Sequence, residues 1–441
     1  MGGYIACSCG KHRDSDKIVI IEKQALLKVP GILQDKGWKK AFIISDIKTY
    51  RIAGNEVKNL LKKDGIAYSK YIFRSNILVS DEINLGRIFI EFDSEAAVII
   101  GIGSGTIADI TRFVAGKFNR PYILVATTAA MDGYCSSVAT LRISALQNEF
   151  LSKPPYAVIF DMDILNNAPA VMAYSGFGEV ISKYTAVCDW KLGHLLTDEY
   201  YCESTSETMV KSVNNCIKEY GSGEDLDSQP LEVLTETLSD LGKAMSHTQS
   251  SRPCSGSEHE IALFWEMRLS EGGKPQIPYG LRVAYASMIV IEICNRLLAK
   301  KINWEECGVY ADIFDSKKYA INIKKTYRNP QIAKDIIEND FFVNTNNSYY
   351  IKKRIAQYKN EWDYIKAIII QCIPKITLYS DLLLKAGISV NPESIGIDKE
   401  TFVSSILYSK ELRSRFSVLR IANDLGFLED FTNKIVKIYY R

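Results

Sequence analysis

A glycine-rich turn is the most informative chemical feature of the sequence. Residues 96–109 read AAVIIGIGSGTIAD, in which an apolar run leads into Gly103, Ser104 and Gly105 and then into a helix-periodic segment from Thr106. Glycine lets the backbone turn sharply, and the amides and positive dipole of a helix N-terminus suit a phosphate or pyrophosphate. The spacing differs from G-x-G-x-x-G, so a phosphate site and an ordinary strand–helix turn both remain open.

Hydroxyl and carboxyl side chains follow the next apolar run. Tyr122–Ala126 (YILVA) is followed by TTAAMDG, which contains Thr127, Thr128 and Asp132. Ligands of open α/β sheets bind outside the carboxyl ends of the strands, where the glycine turn also belongs. The threonine hydroxyls could therefore bind a nucleotide and Asp132 a substrate hydroxyl, with a threonine cap and an aspartate turn as the alternative.

Two further clusters combine charge with helical spacing. Glu179 and Lys183, within GFGEVISKY, are four residues apart and share one helix face, either as site residues or as an ordinary ion pair. The segment SRPCSGSEH carries Arg252 and His259 and opens a helix, a combination suited to an anion, although His259 could equally be a histidine at a helix start. A zinc motif H-E-x-x-H begins at His259 and fails because Leu263 occupies the second histidine position.

Cysteines near the N-terminus form a third possible group of ligands. Cys7, Cys9 and His12 could hold a metal ion, and an N-terminal strand or turn is the alternative interpretation. The first residues have no apolar segment typical of a secretory signal. We therefore expect the ten cysteines to be mostly reduced thiols in a cytoplasmic protein.

Alternation of short apolar runs with amphipathic stretches predicts how these residues are positioned. Over the first 160 residues it indicates a parallel sheet with helices on both sides. The predicted strands are residues 17–22, 40–45, 68–73, 96–100 and 122–126, and the predicted helices are 24–36, 54–63, 82–92 and 106–115. From about Leu165 the pattern is helical. The sequence thus predicts an α/β protein with a Rossmann-like domain over residues 1–160 and a helical domain over 161–441.

Composition excludes several classes of protein. The 441 residues include 54 Lys and Arg against 52 Asp and Glu, a net charge of +2 that gives no reason to expect nucleic acid or a charged membrane surface as a partner. The apolar fraction of 47% is typical of a folded protein. The longest apolar stretch recognised, Val283–Ile291, is interrupted by Ser287 and shorter than the ~20 residues of a membrane-spanning helix.

Taken together, the motifs resemble those of the glycerol-1-phosphate dehydrogenases, in particular the bacterial AraM-like branch. This family is related to glycerol dehydrogenase, iron-containing alcohol dehydrogenases and dehydroquinate synthase. The resemblance rests on CSCGKH at 7–12, GSGT-x-x-D at 103–109, TTAAMDGYCSS at 127–137, GFGE to DW at 176–190, SRPCSGSEH with FWEM at 251–267, and LRSRF at 412–416. It implies an NAD(P)-binding N-terminal domain, an all-helical C-terminal domain and a cleft between them. It also implies NAD(P)-dependent oxidoreduction of a small phosphorylated polyol or ketone, with a homodimer as a further option.

The resemblance assigns roles to individual residues. Asp132 would contact the substrate, and Glu179 and His259 would be two of the three ligands of a zinc or nickel ion that polarises the substrate oxygen. The residues assigned to the cofactor are Gly103, Ser104, Gly105 and Thr106 at the pyrophosphate, Asp109 in the same motif, and Thr127, Thr128 and Ser136 around the nicotinamide half.

The sequence departs from the family pattern at two positions. Where a Leu-His-Gly turn would supply the second metal histidine, this chain has Tyr279, and Leu263 replaces a substrate-binding histidine. We therefore expect weak metal binding, unless His247 completes the site. In the mechanism favoured by these residues, Lys183 and Asp132 orient the substrate, Arg252 with the amides of residues 255–257 binds its anionic group, and Tyr279 donates a proton. A changed, metal-independent reaction and a nucleotide-binding protein without catalysis are the alternatives.

Overall fold

The computed structural model describes residues 7, 9–10, 18–75, 77–143, 146–220, 231–271 and 277–440. The chain divides into two compact units. The first, called the sheet unit, comprises Met1–Val180 and Cys202–Ser251, and the second, called the helical unit, comprises Ile181–Tyr201 and Arg252–Arg441.

All the described strands lie in the sheet unit. They are β1 (Ile18–Glu22), β2 (Lys40–Asp46), β3 (Ala67–Phe73), β4 (Val98–Gly103), β5 (Tyr122–Ala126), β6 (Val138–Ile143), β7 (Leu146–Leu151) and β8 (Ala157–Asp161). Six of them form a parallel sheet in the order β1-β8-β5-β4-β2-β3, and β6 and β7 form a separate antiparallel pair. The two strands that carry the predicted site are thus neighbours in the middle of the parallel sheet.

Helices cover both faces of this sheet. The helices of the sheet unit are α1 (Val29–Asp35), α2 (Ile47–Thr49), α3 (Asn55–Lys63), α4 (Glu82–Glu91), α5 (Gly105–Lys117), α6 (Met162–Asn166) and α7 (Ala170–Ile181), joined later in the chain by α9 (Glu203–Glu219) and α10 (Leu231–Thr248). A π-helical turn, Tyr50–Gly54, connects α2 to α3. Successive residues of β4 alternate between two apolar cores: Ile99 packs with α4 and α5, whereas Ile100 packs with α1 and α3. This is why β4 is apolar without interruption.

The helical unit contains no strand among its described residues. It begins with α8 (Lys183–Thr197) and resumes at a short 3-10 turn, Arg252–Cys254. The remaining helices are α11 (Ser257–Glu271), α12 (Tyr279–Ala299), α13 (Trp304–Asp312), α14 (Ser316–Thr326), α15 (Pro330–Glu338), α16 (Asp340–Thr345), α17 (Ser348–Cys372), α18 (Ile376–Lys385), α19 (Lys399–Tyr408), α20 (Val418–Asp424) and α21 (Leu428–Tyr439).

The structure agrees with the predicted fold class and divides the chain differently from the predicted boundary at residue 160. α7, α9 and α10 belong to the sheet unit although their sequence is helical. The reason is packing: α10 contacts β1 and α6, and α9 packs along α10. Helical periodicity identifies a helix but does not identify the surface against which its apolar face is buried.

One segment is more apolar than the sequence pattern suggested. Ser348–Lys385 contains a stretch long and apolar enough to cross a membrane, by length and composition only. In the structure it is two helices, because α17 ends before Pro374 and α18 begins after it. One such stretch is weak evidence for a membrane segment, since core helices of soluble proteins pass the same test.

Candidate functional site

The glycine turn and the threonine-rich segment meet at one edge of the sheet. Gly103, the last residue of β4, lies opposite Ala126, the last residue of β5. The amide of Thr127 donates a hydrogen bond to the carbonyl of Gly103 over 3.2 Å. The two motifs that the sequence placed at neighbouring carboxyl ends are therefore adjacent.

The start of α5 has the features of an anion-binding helix terminus. Ser104 is its N-cap residue, its hydroxyl makes no capping bond, and the first turn contains no acidic side chain. A Cβ atom on Gly103 would lie 2.7 Å from Ile107, and one on Gly105 would lie 2.7 Å from Met131 Sδ. The turn is thus packed as tightly as glycine allows on the protein side, and it leaves Ser104, Gly105 and Thr106 partly exposed.

Two buried hydroxyls of the segment that follows β5 have no partner among the described residues, and that of Thr127 lies beside the glycine turn. Thr127 Oγ1 and Ser137 Oγ have no hydrogen-bond partner within the described part of the chain. A buried polar group left unbonded costs about 1–3 kcal/mol, so such atoms mark positions where a ligand can bond. Ser137 is a residue that sequence reasoning missed. The neighbouring Ser136, predicted to face the cofactor, instead accepts a bond from the amide of Val138 over 2.9 Å and closes a turn.

A partly buried ion pair organises the loop that carries Asp132. Arg112 donates to Asp109 over 2.6 Å and to the carbonyl of Val138 over 3.1 Å, and it also bonds the carbonyl of Gly133. Burial raises the pKa of Asp109 to about 6 although Arg112 opposes this shift. Asp109, predicted to contact the cofactor, therefore supports the loop through Arg112, which the sequence pattern did not reveal.

The two residues of this unit considered as metal ligands, Glu179 and His247, lie on α7 and α10. Glu179 is buried in the last turn of α7, and a Cβ atom on Gly176 would be 2.0 Å from the carbonyl oxygen of Ala129. α7 therefore packs directly against the segment that leads to Asp132. His247 lies in the last turn of α10, where Ser246 donates to the carbonyl of Cys135 over 2.6 Å.

In the helical unit, Lys183 and Arg252 bind backbone and carboxylate partners. Lys183 is fully buried, and its Nζ donates to the carbonyl of Cys254 over 3.0 Å. Arg252 is 3% exposed, and its Nε donates to Glu199 over 2.7 Å. Its terminal nitrogen also donates to the carbonyls of Asp189 and Phe416. Lys183, predicted to orient the substrate, and Arg252, predicted to bind its anionic group, both hold the segment before α11 through these bonds.

The amides at the start of α11 are already satisfied. The amide of Gly256 donates to Glu258 over 2.7 Å, and that of Ser257 donates to Asp189 over 2.7 Å. Burial opposes the ionisation of Glu258, but its bonds to His259 and to Gly256 hold its pKa below the usual value. Carboxylates of the chain thus occupy the position predicted for a substrate anion.

His259 and Tyr279, the two positions of this unit that the resemblance relates to metal ligands, lie side by side. His259 Nδ1 is 2.8 Å from Glu258 Oε1, and the ring centroids of His259 and Tyr279 are 5.8 Å apart. A carboxylate on Nδ1 orients a histidine so that Nε2 is the nitrogen available to a metal. Leu263, one turn further along α11, is buried.

Two arginines approach the same segment from the end of the chain. Arg413 donates to Ser255 Oγ over 2.7 Å, and Arg415 lies 3.3 Å from the carbonyl oxygen of Ser255. Both are partly exposed, unlike Arg252. The only sequence signal for them was the LRSRF motif, to which the resemblance assigned no role.

Comparison with known proteins shows the family to which this chain belongs. The model of the iron-containing alcohol dehydrogenase family matches residues 20–169. Glycerol-1-phosphate dehydrogenase [NAD(P)+] from Halalkalibacterium halodurans is 32% identical over 302 residues, which cover 67% of this chain and 75% of the relative. This chain belongs to the glycerol-1-phosphate dehydrogenase family. The family lies within the iron-containing alcohol dehydrogenase and dehydroquinate synthase superfamily, and its members are oxidoreductases.

Other glycerol-1-phosphate dehydrogenases and solved structures agree with this membership. The protein of that name from Geobacillus stearothermophilus is 25% identical over 436 residues, 96% of each chain. The crystal structure of glycerol dehydrogenase from Schizosaccharomyces pombe has a TM-score of 0.60 at 15% identity and covers 97% of this chain and 94% of its own. The first comparison extends the family relationship to nearly the whole chain, and the second confirms the predicted fold class.

Proposed function

We propose that the protein catalyses NAD(P)-dependent interconversion of a small phosphorylated polyol and the corresponding ketone, of the glycerol-1-phosphate and dihydroxyacetone-phosphate type, in the cytoplasm. The observation that carries the proposal is the open N-terminus of α5 beside the unpartnered hydroxyl of Thr127, in a chain 32% identical to a glycerol-1-phosphate dehydrogenase. When bound, the nicotinamide cofactor supplies the hydride chemistry.

The sheet unit holds the features that fit the cofactor. The amides of Gly105 and Thr106 would bind the pyrophosphate, because no acidic side chain occupies the first turn of α5. The hydroxyl of Thr127, beside the turn, would gain the partner that it lacks within the described chain. Asp109 and Arg112 act indirectly, by holding the loop on which Asp132 meets the substrate.

The metal site fits only in part. The resemblance assigns to the metal a carboxylate oxygen of Glu179 and the Nε2 atom of His259, and within the helical unit Glu258 orients the ring of His259. Tyr279 stands where a second imidazole is expected, and a phenol binds zinc or nickel only after losing a proton with an ordinary pKa of ~10. The chain would therefore bind the metal more weakly than relatives with two histidines, and Tyr279 is suited to donate a proton to the substrate oxygen.

The substrate phosphate is assigned to Arg413 and Arg415. Arg252 is buried against Glu199 and two carbonyls, and the amides of α11 are bonded to carboxylates, so neither remains a good anion site. Arg413 and Arg415 are partly exposed and converge on Ser255, four residues before His259. Two guanidinium groups match the geometry and charge of a phosphate.

Steady-state kinetics with paired substrates test this function. Oxidation of NADH and of NADPH is measured with dihydroxyacetone phosphate and with unphosphorylated dihydroxyacetone. We expect activity with the phosphorylated ketone, and a KM raised about 10–100-fold by Arg413→Ala, because a hydrogen bond to a charged group contributes about 1.5–3 kcal/mol. Arg296→Ala, at a partly exposed arginine paired with Glu292, is the control and should leave KM unchanged.

The outcomes separate the parts of the proposal. Activity that does not distinguish the two ketones would contradict the phosphate assignment and leave the dehydrogenase function intact. Normal NAD(P)H binding without oxidation by either ketone would contradict the proposed reaction and favour a changed reaction on the same scaffold.

A further inference from the structure

We propose that Cys7, Cys9 and Cys202 form a second metal site, specific for a thiophilic divalent ion such as Zn²⁺. The three Sγ atoms lie within 4.8 Å of one another although Cys202 is 195 positions from Cys7. All three belong to the sheet unit. None of the contacts proposed for the cofactor, the substrate or the catalytic metal involves these residues.

The spacing of the sulfur atoms matches that of zinc thiolates. Zinc–sulfur bonds of about 2.3 Å at tetrahedral angles place neighbouring sulfurs about 3.8 Å apart. Cys7 Sγ and Cys202 Sγ are 3.6 Å apart. A disulfide would require about 2.05 Å. All ten cysteines are described, and none of them forms a disulfide.

The local backbone presents these thiols in the way a metal site requires. Cys7 and Cys9 are held close together, since the amide of Gly10 donates to the carbonyl of Cys7 over 3.0 Å. Cys202 is the N-cap residue of α9, whose positive dipole end favours thiolate over thiol. The site therefore combines these two ligands with one at the start of a helix.

The surroundings of the thiols are also suited to an ion. Ser204 Oγ lies 3.1 Å from Cys7 Sγ and 3.5 Å from Cys202 Sγ, so its hydroxyl can donate to a metal-bound sulfur and orient it. Cys202 is buried whereas Cys7 and Cys9 are partly exposed, which gives an ion a route of entry. Three sulfur ligands select zinc-like ions over Mg²⁺ and Ca²⁺, and water can complete the coordination. His12, which the sequence suggested as a third ligand beside Cys7 and Cys9, lies outside the described residues.

The position of the cluster indicates what the ion would do. It would tie the segment before β1 to the start of α9, which packs on α10. α10 in turn bonds the loop of Asp132 through Ser246. Zn²⁺ at this cluster would therefore stabilise the sheet unit without taking part in hydride transfer.

Cobalt titration of the full-length protein tests the proposal. Reduced, chelator-treated protein is titrated with Co²⁺, whose thiolate complexes absorb in the near ultraviolet, whereas carboxylate and imidazole ligands give no such band. We expect one equivalent of thiolate-bound Co²⁺, displaced by Zn²⁺. Cys7→Ser and Cys9→Ser should each weaken binding at least tenfold, and both change partly exposed residues. Cys372→Ser, also partly exposed, is the matched control and should have no effect.

Further variants separate this site from the candidate catalytic metal site. Glu179→Gln and His259→Ala should leave the thiolate band unchanged, and Cys9→Ser should leave NADH binding unchanged. Absence of a thiolate band, or a band that survives Cys7→Ser and Cys9→Ser, would overturn the proposal. A disulfide among Cys7, Cys9 and Cys202 in protein alkylated during lysis would also overturn it, since it would identify a redox pair.

Discussion

Two Ser/Gly turns precede helices in this protein, and their helix N-termini differ in what fills them. The turn at residues 103–106 leads into α5, which has no acidic residue in its first turn and no capping bond from Ser104. The turn at residues 255–258 leads into α11, whose first amides donate to Asp189 and Glu258. Both sequences are typical of an anion site, yet only the first leaves the helix terminus to an external anion.

The difference shows how a family scaffold can keep one half of its chemistry and change the other. In the sheet unit the cofactor motif is intact, and the hydroxyl of Thr127 beside it has no partner among the described residues. In the helical unit the corresponding charges are paired with one another, and His259 faces Tyr279 instead of a second histidine. The sheet unit thus leaves polar groups available to a cofactor, whereas the charged groups of the helical unit bind one another.

The largest expected effect tests whether the charges of the helical unit serve stability. Glu411 is buried between Arg420, 2.9 Å away, and Asn346, also 2.9 Å away. Glu411→Gln removes the carboxylate that is hydrogen-bonded to Arg420, so we expect the free energy of unfolding in urea to fall by about 3–5 kcal/mol. The exposed Glu338→Gln is the control and should change it by less than about 0.5 kcal/mol.

The carboxylate of Glu411 should also make the stability of the fold depend on pH. Burial alone would raise the pKa of Glu411, but the charges of Arg420 and Lys410 lower it to about 2. A lowered pKa in the folded state means that this stabilisation is complete above about pH 4.5 and is lost as the pH falls through 2. The melting temperature should therefore fall more steeply between pH 5 and pH 2 in the wild type than in Glu411→Gln. Parallel pH profiles would contradict the ion pair.

The second effect tests the open turn. In Gly105→Val the Cβ would lie 2.7 Å from Met131 Sδ, so the branched side chain would displace Met131 and shift the turn whose amides would bind the phosphate. We expect NADH affinity, measured by fluorescence, to fall about 30–100-fold, equivalent to about 2–3 kcal/mol. Gly86→Val in α4, where a Cβ meets no atom within 4 Å, is the control. Equal affinity in both variants would show that the turn is structural.

The sequence predicted the sheet better than it predicted the site. Strand β5 and the β4–glycine–α5 segment are recognisable from their own residues. Their positions, their parallel direction and the proximity of Gly103 to Thr127 could therefore be predicted. Burial of Arg112 under the loop of residues 133–138 has no local signal, because it depends on hydrogen bonds to distant carbonyls. The same holds for Arg252, whose type suggested an anion site and whose partners are Glu199 and backbone oxygens.

The helical periodicity of a segment also does not show to which of the two units the helix belongs. α10 is as helical in sequence as α11, yet it packs on β1 and α6. Long-range proximity of the three cysteines, 7, 9 and 202, was likewise invisible, because the third ligand comes from a segment nearly two hundred residues away. Family resemblance supplied the position of Tyr279 beside His259, which neither composition nor spacing would indicate.

A third effect concerns the altered metal position. Tyr279→His replaces a phenol beside His259 by an imidazole and should raise Zn²⁺ or Ni²⁺ affinity by at least about tenfold. Competition with a chromophoric chelator measures it, in a Cys9→Ser background that removes the thiolate cluster. Tyr364→His, at a tyrosine 65% exposed on α17, is the control. Stoichiometric, chelator-resistant metal in the parent protein would contradict weak binding and make His247 the first residue to test.

The smallest expected effect distinguishes a hydroxyl that would bond the cofactor, that of Thr127, from one that stabilises the fold, that of Thr49. Thr127 Oγ1 is buried without a partner in the described chain, so Thr127→Val removes an unsatisfied group and should leave the free energy of unfolding unchanged or raise it by up to about 1 kcal/mol. NADH affinity should fall roughly fivefold, since about 1 kcal/mol is typical of one lost hydrogen bond. Thr49→Val is the matched control, because Thr49 Oγ1 donates to the carbonyl of Ile102 over 3.0 Å. It should lower the free energy of unfolding by about 1 kcal/mol. If Thr127→Val lowers stability as Thr49→Val does and leaves NADH affinity unchanged, the hydroxyl belongs to the fold and the cofactor does not bond it.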